Sequence, residues 1–185
     1  MIEHHYIGID NGVTGSVCVL DERGRLLFYG PTPVEKRQNY TKKKCMFNRV
    51  VGRQLAEILR PYAGSSSIAL ERPVTSARMG WNTIQSGLRC DEATIVVIEV
   101  LGMRYEYVDS RQWQKVMLPS LESPKKAPPG ATAEEKKAIK LRNAQLKKQT
   151  KILSLEMGRR LFPETKFKGD ADAALIAEWA RRTKL

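Results

Sequence analysis

The stretch "YIGIDNGVTGSVCVLD", residues 6–21, decides the fold. Apolar and β-branched residues flank a break at Asn11, Gly12 and Gly15, which reads as strand, tight turn, strand. "DERG" at 21–24 supplies a second turn and "GRLLFYGPTPV" at 24–34 a further strand, so the chain opens as an antiparallel meander of three strands. Residues 42–62 then set Phe47, Val50, Val51, Leu55, Ile58 and Leu59 at helical spacing, with Pro61 ending the helix. "SSSIALERPV" at 65–74 is a short, nearly continuous apolar run, the pattern of a central buried strand. Residues 79–101 return to a helical rhythm through Ile84, Leu88, Ile95 and Ile98, and "GMRYEYVDS" at 102–110 reads as another strand. Two helices, over 150–162 and 172–182, close the chain. The order βββαβαβ followed by helices predicts an α/β fold.

At 185 residues the chain is long enough for one domain with its own apolar core, without disulfides or structural metal. Lys and Arg number 32 against 20 Asp and Glu, a net charge of +12, and the pI is near 9.8. That balance favours a polyanionic partner, nucleic acid first. An anionic membrane surface would call for a basic amphipathic helix with bulky apolar residues opposite, or a lipidation signal, and the sequence has neither. Cys18, Cys45 and Cys90 are odd in number and widely spaced, which excludes a disulfide framework or a zinc knuckle and suggests a reducing compartment. With no secretory leader and no run near the roughly 20 apolar residues of a membrane span, the expected location is the cytoplasm. His4 and His5 read as an exposed tail rather than metal ligands.

Residues 118–150 differ in kind, being rich in Pro and Lys and poor in bulky apolar residues, and read as an insertion in the single domain 1–185. Thr132 and Glu135 have the spacing of a capping box, which predicts a solvated helix after a flexible Pro-Gly loop. The lysines there are either a solvated face or a mobile arm for phosphates.

Four carboxylates remain to be explained. Asp10 ends an apolar strand before a glycine turn, where an Asx turn is an ordinary role. Glu71 ends a buried strand, where a desolvated charge needs a partner such as Arg72. Asp170 and Asp172 could cap and charge the start of the last helix. Taken together a different reading is available. If the strands of Asp10 and Glu71 are neighbours, both acids project from one region and the last helix can deliver Asp172 across it. Such a cluster needs cations, and hard oxygen donors with open positions suit Mg²⁺ or Mn²⁺ holding a phosphate.

"IGIDNGVTG", "ALERP", "DSRQWQK" and "DADAALIAEWARR", in that order, resemble the RuvC-like Holliday junction resolvases of the ribonuclease H superfamily, in particular the compact bacteriophage-type branch. The resemblance covers nearly the whole chain apart from the insertion. It implies a ribonuclease H-like mixed sheet, three antiparallel strands then parallel ones, flanked by helices. It implies catalytic, metal-binding carboxylates at Asp10, Glu71, Asp170 and Asp172. Asp172 matches best; the family spaces its last two acids three or four residues apart, whereas here Lys168 and Gly169 fill those places and Asp170 lies only two residues upstream. Asp170 can serve if it precedes the first helical turn, with Gly169 bending the backbone; otherwise three carboxylates remain, with Asp109 a further neighbour.

The implied activity is a structure-selective endonuclease acting on four-way and other branched DNA, with about two Mg²⁺ ions per site, one activating water and one stabilising the leaving 3′ oxygen. It implies paired nicks with 5′-phosphates from a homodimer whose long helix after Glu71 helps form the interface. Phosphate contacts are expected from Lys36, Arg37, Lys42, Lys43 and Lys44 around Tyr40, which would stack on a base or simply pack, and from Lys125, Lys126, Lys136 and Lys137. Arg72, Arg78 and Lys115 complete the expected DNA-binding set, with Lys115 near the scissile phosphate and Trp113 in the core. Met79 and Trp81 would pack a dimer seam or meet the junction centre. Two alternatives stay open: a branched-DNA-binding protein of the same fold without hydrolysis, and a kinase-like phosphotransferase, since "GIDNGVTGS" also looks like a phosphate loop. The second is disfavoured because such enzymes need a duplicated fold.

Overall fold

The computed structural model describes residues 3–38, 46–73, 79–122 and 124–185. Its main sheet contains β1 (His5–Ile9), β2 (Ser16–Asp21), β3 (Leu26–Pro31), β6 (Ser66–Glu71) and β7 (Arg104–Val108), in the order β3-β2-β1-β6-β7. β1 to β3 pair antiparallel, as the meander requires, while β1–β6 and β6–β7 pair parallel. This is the mixed sheet that the resemblance implies.

Alternation along the strands assigns the two faces. Ile7, Ile9, Val17, Val19, Ile68 and Leu70 pack into one core with α1 (Gly52–Leu59) and α2 (Trp81–Val100). The other face presents smaller residues, Gly8, Cys18 and Ala69, to α5 (Asp172–Thr183), backed by α3 (Ser110–Met117) and α4 (Ala133–Leu161). α5 comes very close. A Cβ at Gly8 would lie 2.2 Å from the Ala173 carbonyl oxygen and 2.4 Å from the Ala177 nitrogen, so only glycine fits there. Ala173, Ala174, Ala177 and Ala180 are fully buried, making α5 a central helix held between sheet and outer helices.

The helix expected over 42–62 is a correction. Met46–Val50 form β5, paired antiparallel with β4 (Val34–Gln38) in a separate two-stranded ribbon, and helix begins only at Gly52. Phe47 and Val50 are themselves good strand formers, and a pairing partner upstream settles the run as strand. The helices after Thr132 also differ from expectation: the one predicted from Thr132 and the one predicted over 150–162 are a single 29-residue helix, α4. Its capping box is present, with Glu135 N donating to Thr132 Oγ1 at 3.2 Å and Thr132 N to Glu135 Oε2 at 2.8 Å. The preceding loop is pinned to this helix, Lys125 N donating to Asn143 Oδ1 at 3.1 Å and Asn143 Nδ2 to the Lys125 carbonyl at 2.8 Å. His5 begins β1, and both ring nitrogens of His4 lie within hydrogen-bond distance of Ser65 and Ser67, so this pair is part of the fold rather than a tail. Cys18 and Cys90 are buried free thiols. Among the described residues, no helix is long and apolar enough to cross a membrane.

Candidate active site

Parallel register explains the first pair. Ile9 faces Leu70 across β1 and β6, so Asp10 and Glu71 are the next partners at the carboxyl ends of adjacent strands. Alternation carries both onto the α5 face, in step with Gly8 and Ala69. The two carboxyls lie close enough to hydrogen-bond each other, a contact that raises Glu71 and lowers Asp10. Burial and the nearby Asp10 charge push Glu71 up to about 8, while a 3.2 Å hydrogen bond from Trp113 Nε1 to Glu71 Oε1 works against the shift. Asp10 is raised too, chiefly by burial and additionally by Asp170. Trp113 is wholly buried on α3, so it is core as expected and in addition orients a site carboxyl.

The last helix supplies the second pair. Gly169 has φ +94°, a left-handed conformation that turns the chain ahead of α5, and Asp170 lies before the helix, which begins at Asp172. The opposite-face geometry of helical i,i+2 residues therefore does not apply. Burial, then repulsion by Asp170 and Asp10, raises Asp172 to about 7, with the Ser154 hydroxyl, which donates to Asp172 Oδ1, opposing the rise. Asp170 Oδ2 stands 3.7 Å from Lys151 Nζ, and its carbonyl accepts a 3.1 Å hydrogen bond from Tyr29 Oη. The Lys151 charge also reaches Asp10 and Asp172, lowering both. α4 can sit this close because it has Gly158 one turn beyond Ser154: a Cβ there would fall 2.3 Å from Ala171 Cβ.

Thus Asp10, Glu71, Asp170 and Asp172 are brought within electrostatic reach of one another. Ser154 and Lys151 are the site residues that sequence reasoning missed. Their one available signal was the i,i+3 spacing of a lysine and a serine within the helix read as 150–162, and nothing in the sequence tied that helix to the carboxylates. Arg72 does not serve Glu71. Its guanidinium pairs with Asp109 at 3.2 Å and stacks over Tyr107 at 5.0 Å, which also takes Asp109 away from the cluster. Lys115 is exposed and two residues, about 200°, around α3 from Trp113, so it lines a separate groove with Arg111 and Glu122 rather than the carboxylates. Lys36 and Arg37 lie exposed on the β4–β5 ribbon, with Arg37 paired to Glu35 at 2.6 Å. Lys125 and Lys126 are exposed beside α4. Met79 is half-buried and Trp81 exposed at the start of α2. Tyr40, Lys42, Lys43, Lys44 and Arg78 fall outside the described residues.

Among the described residues, no three His, Cys, Asp or Glu side chains stand as a ready metal-holding group. The donor set nonetheless fits a hard divalent cation in kind. It is made of carboxylate oxygens only, and buried acids whose protons are held above the usual range by burial and mutual repulsion are acids that a cation would stabilise in ionised form. Ser154 and Lys151 contact Asp172 and Asp170 from α4.

No model of a known protein family matches the chain, and no curated protein matches it. Solved structures similar to the chain include the following two. One is Thermus thermophilus RuvC in complex with a Holliday junction substrate, 17% identical with a TM-score of 0.58, covering 97% of this chain and 96% of that one. The other is a Thermus thermophilus RuvC structure, 14% identical with a TM-score of 0.48 over the same shares. The likeness to the first is one of fold, and with the mixed five-stranded sheet it shows the ribonuclease H-like fold of RuvC.

Proposed function

We propose that the protein is a metal-dependent endonuclease that resolves Holliday junctions and related branched DNA, giving paired nicks with 5′-phosphates. The observation that carries this reading is the arrival of Asp10 and Glu71 as consecutive register partners on one sheet face, with Asp172 delivered to the same face by α5. The net charge of +12 and the junction bound to the similar RuvC structure favour branched DNA as the substrate.

Asp10, Glu71 and Asp172, with Asp170, would hold one or two Mg²⁺ ions, and Mn²⁺ should substitute. Bound there, such cations supply Lewis acidity to phosphodiester hydrolysis. The chain's own residues do the rest. Glu71, raised to about 8 by burial and by Asp10, must lose its proton before the site carries its full charge. Trp113 fixes the orientation of Glu71, and Ser154 that of Asp172. Lys151 balances Asp170. Lys36 and Arg37 on the ribbon would meet backbone phosphates, and Arg72, beside the site, stays available at one edge while paired to Asp109. A four-way junction has near two-fold symmetry, so a homodimer is the expected working form.

The test is a synthetic four-way junction incubated in Mg²⁺ with wild type, Asp10→Asn and Asp172→Asn. Symmetric paired nicks by wild type alone, with all three proteins binding, are expected. Binding without nicks by wild type would instead establish a branched-DNA-binding protein without hydrolysis.

A further inference from the structure

Helix α4 carries lysines in a particular arrangement. At 100° per residue, Lys136, Lys140, Lys147 and Lys151 fall within an arc of about 60° around its axis. Ser154, the partner of Asp172, and Gly158, the seat of Ala171, lie in the same arc. All four lysines are exposed. No acidic residue shares the arc, since Glu134, Glu135 and Glu156 point elsewhere around the helix. The stripe therefore runs along the edge of the buried face and ends beside the carboxylates, where Lys151 Nζ is 3.7 Å from Asp170 Oδ2. At 1.5 Å per residue it is about 22 Å long. The loop fastened to Asn143 sets Lys125 and Lys126 alongside its middle.

A solvated surface has no reason to sort its lysines to one side or to exclude acids from that side. A phosphate backbone does. With one phosphate per 3.4 Å of helical rise along each strand, a track of this length meets several consecutive phosphates before the carboxylates are reached. We infer that the Lys136–Lys140–Lys147–Lys151 stripe is a guide rail for one DNA arm, contacting its backbone without reading sequence and leading it to the candidate active site. This rests on the reading of that site as a nuclease for branched DNA. It also gives residues 118–150 a role, as the segment that lengthens α4 outward from the core.

The experiment compares two triple variants of equal charge. Lys136→Gln/Lys140→Gln/Lys147→Gln strips the stripe and leaves Lys151, the member nearest the site, in place. Lys137→Gln/Lys148→Gln/Arg159→Gln removes three cations from a neighbouring arc, about 40–140° away around the same helix. Affinity for a synthetic four-way junction and for a linear duplex is measured in EDTA against salt, and junction nicking is measured in Mg²⁺. Each backbone contact contributes about 0.9 to the log–log salt slope, so the stripe variant should lose about 2 to 3 from its slope and the other variant under 1. Nicking at limiting enzyme should fall in proportion to binding. Equal losses from both variants, or no loss from the stripe variant, would overturn the guide rail. If wild type binds with the expected slope but no protein nicks the junction, the rail stands and the nuclease reading fails. Circular dichroism on both variants confirms that α4 is retained.

Discussion

Replacing Asp172 by asparagine should make this protein more stable at alkaline pH, although it removes a residue from the candidate site. Burial and the charges of Asp170 and Asp10 move Asp172 from 3.8 to about 7. Between those values the folded protein binds a proton that the unfolded chain does not, so stability falls as pH rises through that window. At 1.36 kcal/mol per pH unit the full shift corresponds to a ceiling of about 4 kcal/mol. Part of it is repulsion shared with Asp10 and Asp170, which relax once one charge is gone, and part of the window lies below pH 5. A gap widening by about 2 kcal/mol between pH 5 and pH 8 remains. The uncharged amide of the Asp172→Asn variant has no such penalty, and its oxygen can still accept the Ser154 hydroxyl. Urea unfolding of wild type and Asp172→Asn in EDTA, at half-unit steps from pH 5 to 8, measures the gap. Curves that stay parallel, or a variant that becomes relatively less stable toward pH 8, would show that Asp172 is not held in a repulsive, desolvated cluster.

Other perturbations separate the parts of the site. Gly8→Ala places a methyl group 2.2 Å from the Ala173 carbonyl and should destabilise by about 3 kcal/mol or prevent folding, read by thermal melting. Trp113→Phe removes the donor that lowers Glu71, so the acid limb of the junction-nicking pH profile should move to more alkaline pH; an unmoved limb would remove Glu71 from the titration. Mg²⁺ at about 100 times its dissociation constant should stabilise wild type by about 2.7 kcal/mol and leave Asp10→Asn nearly unaffected, as followed by melting in a magnesium titration.

Much of the architecture could be read from local pattern. The meander, the strand ending in Glu71, the helix after it and the capping box at Thr132 all announce themselves through alternation, helical spacing or turn residues. The site was partly legible for the same reason, because Asp10 and Glu71 each break an apolar strand at its carboxyl end. The spacing of Phe47, Val50 and Val51 points to helix over residues 46–50, and only pairing with Val34–Gln38 makes them strand. Asp170 could not be judged from spacing, since its place depends on the φ +94° of Gly169 and on a helix that starts two residues later.

What the sequence determined by itself was chemistry and order: which acids end which elements, a basic surface, and a glycine and alanine set that allows close packing. Register and approach were decided only in three dimensions. Hydrogen bonding between β1 and β6 aligns two acids 61 residues apart, and the missing side chain at Gly8 lets α5 descend to meet them. No local pattern encodes that Lys151 and Ser154 meet Asp170 and Asp172, because their contacts depend on how α4 lies against α5, and helix packing is set by the surfaces of both partners at once.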